Sequence, residues 1–525
     1  MKIVVADGLA PEGLERLRAS FDVVVESGLS DDALPVALAD AVAVIVRSRT
    51  RITAAAIVRA RRLRVIARAG VGTDNIDVEA ATHRGILVLT TPESSTISTA
   101  EHTMALILAS ARNVPAAHAA TAQGGWERER FVGAELYGKT LGIVGLGKIG
   151  SEVARRAVAF GMRVIACDPY TPADRAARLG VELLPMEAVL ERADVLTLHL
   201  PLTPRTRHII GPAQFARMRP GIRIVNCARG GLIDEGALLA ELEEGRVASA
   251  ALDVFEQEPP GESPLVRHPR VIATPHLGAS TEEAQRGIGI EVAEQVIAAL
   301  AGRPAKGAVN APVLQEDTWH RLEPFAGLMS ALGAIAQQLA QGQITGIEFM
   351  YEGEIAGEQT QLLDASFLVS LLAPILDQPV NPVNAAILAK ERGIGLSDLR
   401  RDHSEDFSSL IRVRLSTTAG PLVVGGTLFG HREPRITHLD GYRIDLVPAA
   451  HMLFVWNVDR PGMIGRVGTI LGGQHVNIAG MQVGRTSPGG TAVMVLTIDA
   501  PAPRAVVDEL GRVDGIAAVK VVDLA

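Results

Sequence analysis

The run Leu141-Gly142-Ile143-Val144-Gly145-Leu146-Gly147-Lys148-Ile149-Gly150 constrains this chain more than any other segment. A short apolar strand leads directly into G-x-G-x-x-G, and a helical pattern follows. Gly145 permits the tight turn, Gly147 lets the backbone approach a pyrophosphate, and Gly150 allows helix and strand to touch. The helix N-terminus formed this way offers N–H donors and partial positive charge to phosphates. Asp168 follows eighteen positions after Gly150, at the end of the next expected strand. There it would accept from both ribose hydroxyls and repel a 2′-phosphate, which favours NAD over NADP.

This unit sits inside a longer series of nearly continuous apolar strands. Residues 141–144, 163–166, 195–198, 222–226, 250–254 and 271–273 read as strands alternating with helical segments. An independent series precedes it at 2–6, 23–26, 42–46, 65–68 and 86–89. Strands without polar alternation suit parallel sheets covered on both faces, so two doubly wound α/β units in tandem are expected. A helix over 98–112 joins them, and another over 281–301 follows the second.

From about residue 310 the character changes. Helical segments (321–341, 361–373, 384–391) lead into strand-like ones (346–351, 408–417, 422–428, 442–446), as in an α+β unit. The last stretch reads β-α-β-β-α-β over 452–458, 462–471, 478–485, 491–498, 504–512 and 517–522, the ferredoxin-like plan.

With 525 residues and 47 % hydrophobic content, the chain can sustain several cores and is not disordered. Its apolar runs are too short for a membrane span, and the N-terminus has the pattern of neither a signal nor a transit peptide. A net charge of −8, scattered basic residues and 3 % aromatics exclude a nucleic-acid surface. Two cysteines, Cys167 and Cys227, give neither a disulfide framework nor a metal cluster, and read as small apolar residues in a reducing cytoplasm.

Three segments at the C-terminal ends of later strands carry reactive groups: Asn226–Gly231 with Arg229, Asp253–Pro259 with two glutamates, and Thr274–Gly278 with His276. They supply a fixed cation, a carboxylate and an imidazole beside the dinucleotide loop. Hydride transfer between a nicotinamide and a 2-hydroxy acid needs that set. The cation holds and polarises the substrate, the imidazole moves the proton, and a carboxylate behind it fixes the tautomer. His83, His102 and His199 show no partner in sequence and read as structural.

With these motifs the chain resembles the D-isomer-specific 2-hydroxyacid dehydrogenases, over essentially its whole length, and within them the long members that act on D-3-phosphoglycerate. The resemblance implies roles for Arg229 (substrate carboxylate and carbonyl), Glu258 (acidic partner, chosen over Glu256 because it directly precedes the proline) and His276 (general acid/base). It places Lys148, Ile149, Cys227, Ala228, Asp253, His276 and Gly278 on the cofactor with the fingerprint glycines. The segment Arg68-Ala69-Gly70-Val71-Gly72-Thr73-Asp74-Asn75 is similar to the loop that holds the substrate carboxylate through backbone N–H groups, and Arg47 and Arg68 stand at substrate-binding cation positions. Arg128 and Arg130, in Trp126-Glu127-Arg128-Glu129-Arg130-Phe131, match a loop that reaches the neighbouring subunit's phosphate, with Glu129 interrupting the basic run.

At the C-terminus, Asn457-Val458-Asp459-Arg460-Pro461-Gly462 and Val476-Asn477-Ile478 resemble an ACT domain, with Asn457, Asp459 and Asn477 at effector-contacting positions. Residues 314–447 resemble an intervening domain, best at Gly425–Gly430 and Gly441–Ile444. The implied organisation is a flavodoxin-like substrate domain (1–96 and 287–313), a Rossmann NAD domain (97–286), the intervening α+β domain and an ACT domain (451–525). The implied activity is NAD-dependent oxidation of D-3-phosphoglycerate, the first step of L-serine synthesis, by a cytoplasmic homo-oligomer that takes L-serine as effector. Two alternatives stand beside it: a dehydrogenase for glycerate, lactate or 2-hydroxyglutarate, and a non-catalytic NAD-sensing scaffold.

Overall fold

The computed structural model describes residues 1–313, 316–430 and 432–524. Residue 314, where the third unit was expected to begin, lies outside the described residues. Five parallel strands form the first sheet in the order Asp22–Val25, Lys2–Val5, Ala41–Val46, Val65–Arg68, Leu87–Leu89. Every residue of Ala41–Val46 is buried, because helices cover both faces. One covering helix is Glu282–Leu300, which returns from the far end of the second unit. Its Ile288, Val292 and Val296 join Ile3, Val5 and Leu17 in one apolar cluster. Gly13 is required there: a Cβ on it would stand 2.3 Å from the Gly289 carbonyl oxygen.

The second sheet has seven parallel strands in the order Val271–Ala273, Val247–Leu252, Ile222–Asn226, Val195–Leu198, Thr140–Val144, Arg163–Cys167, Val181–Leu183. Chain order reverses between Thr140–Val144 and Val195–Leu198, so a crevice opens at their C-terminal ends beside Gly145. Helix Thr96–Arg112 packs its buried Ala100, Met104 and Ile107 against this sheet. The helix that follows, Val114–Ala122, was not foreseen. All its residues are partly or fully exposed, and with the exposed Trp126, Val132 and Tyr137 it forms a surface arm.

A mixed six-stranded sheet comes third, in the order Gly395–Arg401, Ile344–Gly353, Ser409–Thr417, Leu422–Phe429, Glu433–Leu439, Tyr442–Leu446, with its first pair parallel and the rest antiparallel. The four-stranded antiparallel sheet is ordered Ile478–Arg485, Thr491–Ile498, His451–Val458, Ile516–Asp523, with helices Met463–Gly473 and Arg504–Gly511. Alternation sorts its side chains. Leu453 and Val455 pack with Val467 and Leu510 of its own helices, whereas Met452, Phe454, Val493 and Val495 enter the core of the third unit with Leu332, Phe349 and Leu371. These last two units therefore share one apolar core. The third unit also grips the first through polar groups. Asn381 donates to the Gly85 carbonyl at 2.7 Å, and His83 Nδ1 lies 3.2 Å from Glu391.

The architecture is the one the sequence implies: two doubly wound parallel sheets, an α+β unit and a ferredoxin-like unit. Among the described residues no helix is long and apolar enough to cross a membrane.

Candidate active site

A cavity of about 1520 Å³ lies between the C-terminal edges of the two parallel sheets. The second sheet contributes the nucleotide side. Gly145 has φ 98°, and a Cβ there would stand 2.5 Å from the His199 carbonyl oxygen. Gly150 approaches the Gly145 carbonyl so closely that a Cβ would come within 2.1 Å. Gly147 caps helix Lys148–Ala159 and has open space where a Cβ would be, which leaves the helix N-terminus bare toward the cavity. Asp168 is half-buried at the end of the next strand and accepts from the Leu146, Tyr170 and Thr171 amides at 2.7, 2.8 and 3.1 Å. An uncluttered helix end for a pyrophosphate, followed by a fixed carboxylate for a ribose, fits NAD. Lys148 and Ile149 line the cavity, and Lys148 Nζ lies 3.5 Å from Glu93.

Catalytic chemistry converges from three loops. His276, at φ 55°, donates from Nδ1 to Glu258 Oε2 at 2.8 Å, which leaves Nε2 as its acceptor. Burial pushes the Glu258 carboxyl up, but the His276 hydrogen bond and charge, with the Phe255 amide, outweigh it and hold the group below the usual carboxylate range. Arg229 is aimed by Asn226, whose side chain receives the Ala228 amide at 3.0 Å and donates to the Arg229 carbonyl at 2.9 Å. Its guanidinium donates to Asp74 Oδ2 at 3.0 Å and lies over Gly72, where a Cβ would be 2.1 Å from Nη2.

The first sheet contributes a cationic wall. Gly70, Val71 and Gly72 line the cavity with Arg47 and Arg68. Burial, and then the charge of Arg229, push the Arg68 guanidinium down to about 10, and its Nε has no partner among the described residues. Such a cation is poised for an anionic ligand. Arg49 and Arg51 line the same cavity. Sequence reasoning missed both, although the run Arg47-Ser48-Arg49-Thr50-Arg51 could have signalled them.

Other expected residues are placed as follows. Cys227 and Ala228 line the cavity, and burial pushes the Cys227 thiol up to about 12, which removes it as a nucleophile. Asp253 is buried and turned into the loop that carries His276. It accepts from Thr274 Oγ1 at 2.6 Å and from the Leu277 and Gly278 amides at 2.7 and 2.8 Å. His102 does have a partner, since its Nε2 lies 3.2 Å from Asp253. His199 also lines the cavity, and burial pushes its imidazole down to about 4. Arg128 and Arg130 lie on the exposed arm, not on the cavity wall. Arg128 covers the Trp126 ring at 5.6 Å, and Arg130 reaches Glu127 at 3.3 Å.

In the C-terminal sheet Asn457 and Asp459 come together. Asn457 is buried with its Oδ1 unpartnered among the described residues, and Asp459 accepts from the Gly489 amide at 3.1 Å. Asn477 stands at the opposite end of the sheet and donates to Asp499 at 2.7 Å, so one chain does not bring the three together.

Residues 104–278 match the D-isomer specific 2-hydroxyacid dehydrogenase, NAD binding domain. Residues 321–440 match the D-3-phosphoglycerate dehydrogenase intervening domain, and residues 451–515 the ACT domain. Fold and site thus define an NAD-dependent oxidoreductase of the D-isomer-specific 2-hydroxyacid dehydrogenase class. The chain is 45 % identical to a D-3-phosphoglycerate dehydrogenase of Methanocaldococcus jannaschii over 525 residues, covering 100 % of both. It is 41 % identical to that of Bacillus subtilis over 524 residues, covering 100 % of this chain and 99 % of the relative. Among solved structures, the TT0316 protein from Thermus thermophilus aligns with a TM-score of 0.55 at 38 % identity, over 59 % of this chain and 100 % of that one. The chain belongs to the D-3-phosphoglycerate dehydrogenase family.

Proposed function

We propose that this chain oxidises D-3-phosphoglycerate to 3-phosphohydroxypyruvate with NAD, the first step of L-serine synthesis. The observation that supports the reading is the cavity itself, whose walls hold Arg47, Arg49, Arg68 and Arg229 together with the His276–Glu258 pair. A substrate with both a carboxylate and a phosphate calls for several cations. Arg229 exchanges its contact with Asp74 for the substrate carboxylate and the C2 oxygen. His276 Nε2 takes the C2 hydroxyl proton, and Glu258 faces the imidazolium that results. NAD, held by Gly145, Gly147, Gly150 and Asp168, supplies the hydride acceptor. Gly70, Val71 and Gly72 hold the carboxylate from the opposite wall.

The remaining assignments extend this reading. Residues 1–96 with 287–313 form the substrate domain, 97–286 the NAD domain, 314–447 the intervening domain and 451–525 the ACT domain. The protein works in the cytoplasm as a homo-oligomer, with the exposed arm carrying Arg128 and Arg130 to the neighbouring subunit's phosphate. L-serine binds between paired ACT domains, where Asn457 and Asp459 of one chain meet Asn477 of another. The separation of Asn477 from the other two within one chain supports that pairing.

Purified protein assayed with NAD and D-3-phosphoglycerate, D-glycerate, D-lactate and 2-hydroxyglutarate tests the reading. Preference for the phosphorylated acid is the expected result. Equal turnover of an unphosphorylated acid, or none of any, overturns it.

A further inference from the structure

The loop that carries Arg47 and Arg49 is held on both sides of its backbone. Asp7, at the end of the first strand and 5 % exposed, accepts the Arg47 amide on Oδ2 at 2.6 Å and the Thr50 amide at 3.3 Å, while its Oδ1 accepts the Thr50 hydroxyl at 3.0 Å. Asn75, the last residue of the substrate-loop segment, takes the other polarity. Its Nδ2 donates to the Arg47 carbonyl and to the Thr50 carbonyl, each at 2.6 Å. The Ile52 amide then donates to the Asn75 carbonyl at 2.8 Å. One residue thus fixes the amides of positions 47 and 50 and the other fixes their carbonyls, so the loop cannot swing without breaking charge-assisted or buried bonds.

We infer that Asp7 and Asn75 are positioning residues that set selectivity for a phosphorylated substrate, by clamping residues 47–50 so that Arg47 and Arg49 stand over the cavity. Neither side chain need touch the substrate. The clamp acts on the wall of arginines, whereas His276 and Glu258 are held by the other sheet and make no contact with it. Two like charges on one short loop repel, and Arg47 is half-buried, so the arrangement needs a buried carboxylate beneath it. Asp7 supplies that carboxylate, and Asn75 supplies the N–H donors for the loop's carbonyls, which a carboxylate could not do.

This inference rests on the proposed phosphoglycerate activity and is tested by comparing two substrates. In Asp7→Ala, kcat/KM for D-3-phosphoglycerate should fall by about 10–100-fold, mostly through KM, as expected for one or two lost charge-assisted bonds. The value for D-glycerate should change by less than about threefold on the same footing, and KM for NAD should stay as in wild type. Inorganic phosphate, competing with D-3-phosphoglycerate, should inhibit the variant about tenfold more weakly. Asp7→Asn, which keeps an acceptor of the same shape, should recover part of the loss, and it serves as the readable variant where Asp7→Ala does not fold. Asn75→Ala should shift the substrate ratio in the same direction. Equal losses on both substrates, or unchanged inhibition by phosphate, would show an ordinary fold-holding carboxylate and overturn the inference. Failure of the underlying activity shows instead in wild type, as absence of any preference for the phosphorylated acid, and removes both.

Discussion

His276 and Glu258 are hydrogen-bonded at 2.8 Å although they lie on separate loops, and the Phe255 amide holds the second Glu258 oxygen at 3.1 Å. The carboxylate orients the ring from behind, and the cavity side keeps Nε2. His276→Ala should lower kcat by about 10²–10⁴-fold. NAD affinity, read by fluorescence or calorimetry, should be retained, because the glycine loop and Asp168 do not involve the imidazole. Near-normal turnover would remove His276 from the proton transfer.

Gly72 lies beneath Arg229, and no side chain fits between them. Gly72→Ala should push the guanidinium off its position and lower kcat/KM by about 100-fold or more, since misplacement by about 1 Å can cost that much. Melting temperature should change little by comparison. A variant with ordinary kinetics would mean that Arg229 does not act from the place described.

Asp168 serves two ends, because its oxygens also receive the Leu146, Tyr170 and Thr171 amides. Asp168→Asn removes the charge and keeps one acceptor oxygen, enough for the Tyr170 and Thr171 amides, while its NH2 replaces the oxygen that receives the Leu146 amide. The ratio of NADP to NAD use should rise by about tenfold or more, the scale of one charge–charge contact. If wild type already uses both cofactors equally, the role given to this carboxylate is wrong.

Burial pushes the Asp364 carboxyl up to about 7, and the Tyr351 hydroxyl donates to it. A folded value above the unfolded one means that the protonated form contributes stability. That stability is complete below about pH 4 and is lost as pH rises through about 7. Asp364→Asn cannot ionise, so the decline in melting temperature of the C-terminal half between those limits should flatten. Calorimetry across that range checks it, and an unchanged slope would refute it.

Much of this was legible in the sequence for one reason: buried parallel strands leave apolar runs and their ends carry the chemistry. Ala41–Val46 and the Gly145–Gly150 turn are of that kind. Gly395–Arg401 was not, because it is an edge strand with six of its seven residues exposed and without alternation to read. Helix Val114–Ala122 likewise buries nothing within the chain and so leaves no apolar stripe. Arg49 looked like any solvated surface arginine, and His102 showed no neighbour because Asp253 reaches it only through the fold.

The shared core of the last two units has a mechanical consequence. Phe454 and Val495 belong to the same cluster as Phe349 and Leu332, so no slip plane separates the two sheets. Against the first unit, by contrast, Asn381 and Glu391 make a small polar joint at Gly85 and His83. The C-terminal half is therefore one stiff lever, and its polar joint sits at the end of helix Val78–His83, whose other end follows Asn75 and the substrate loop. Cutting the lever in its middle, near residue 450, would bare its apolar interior and leave a ragged stump in place of a shorter lever.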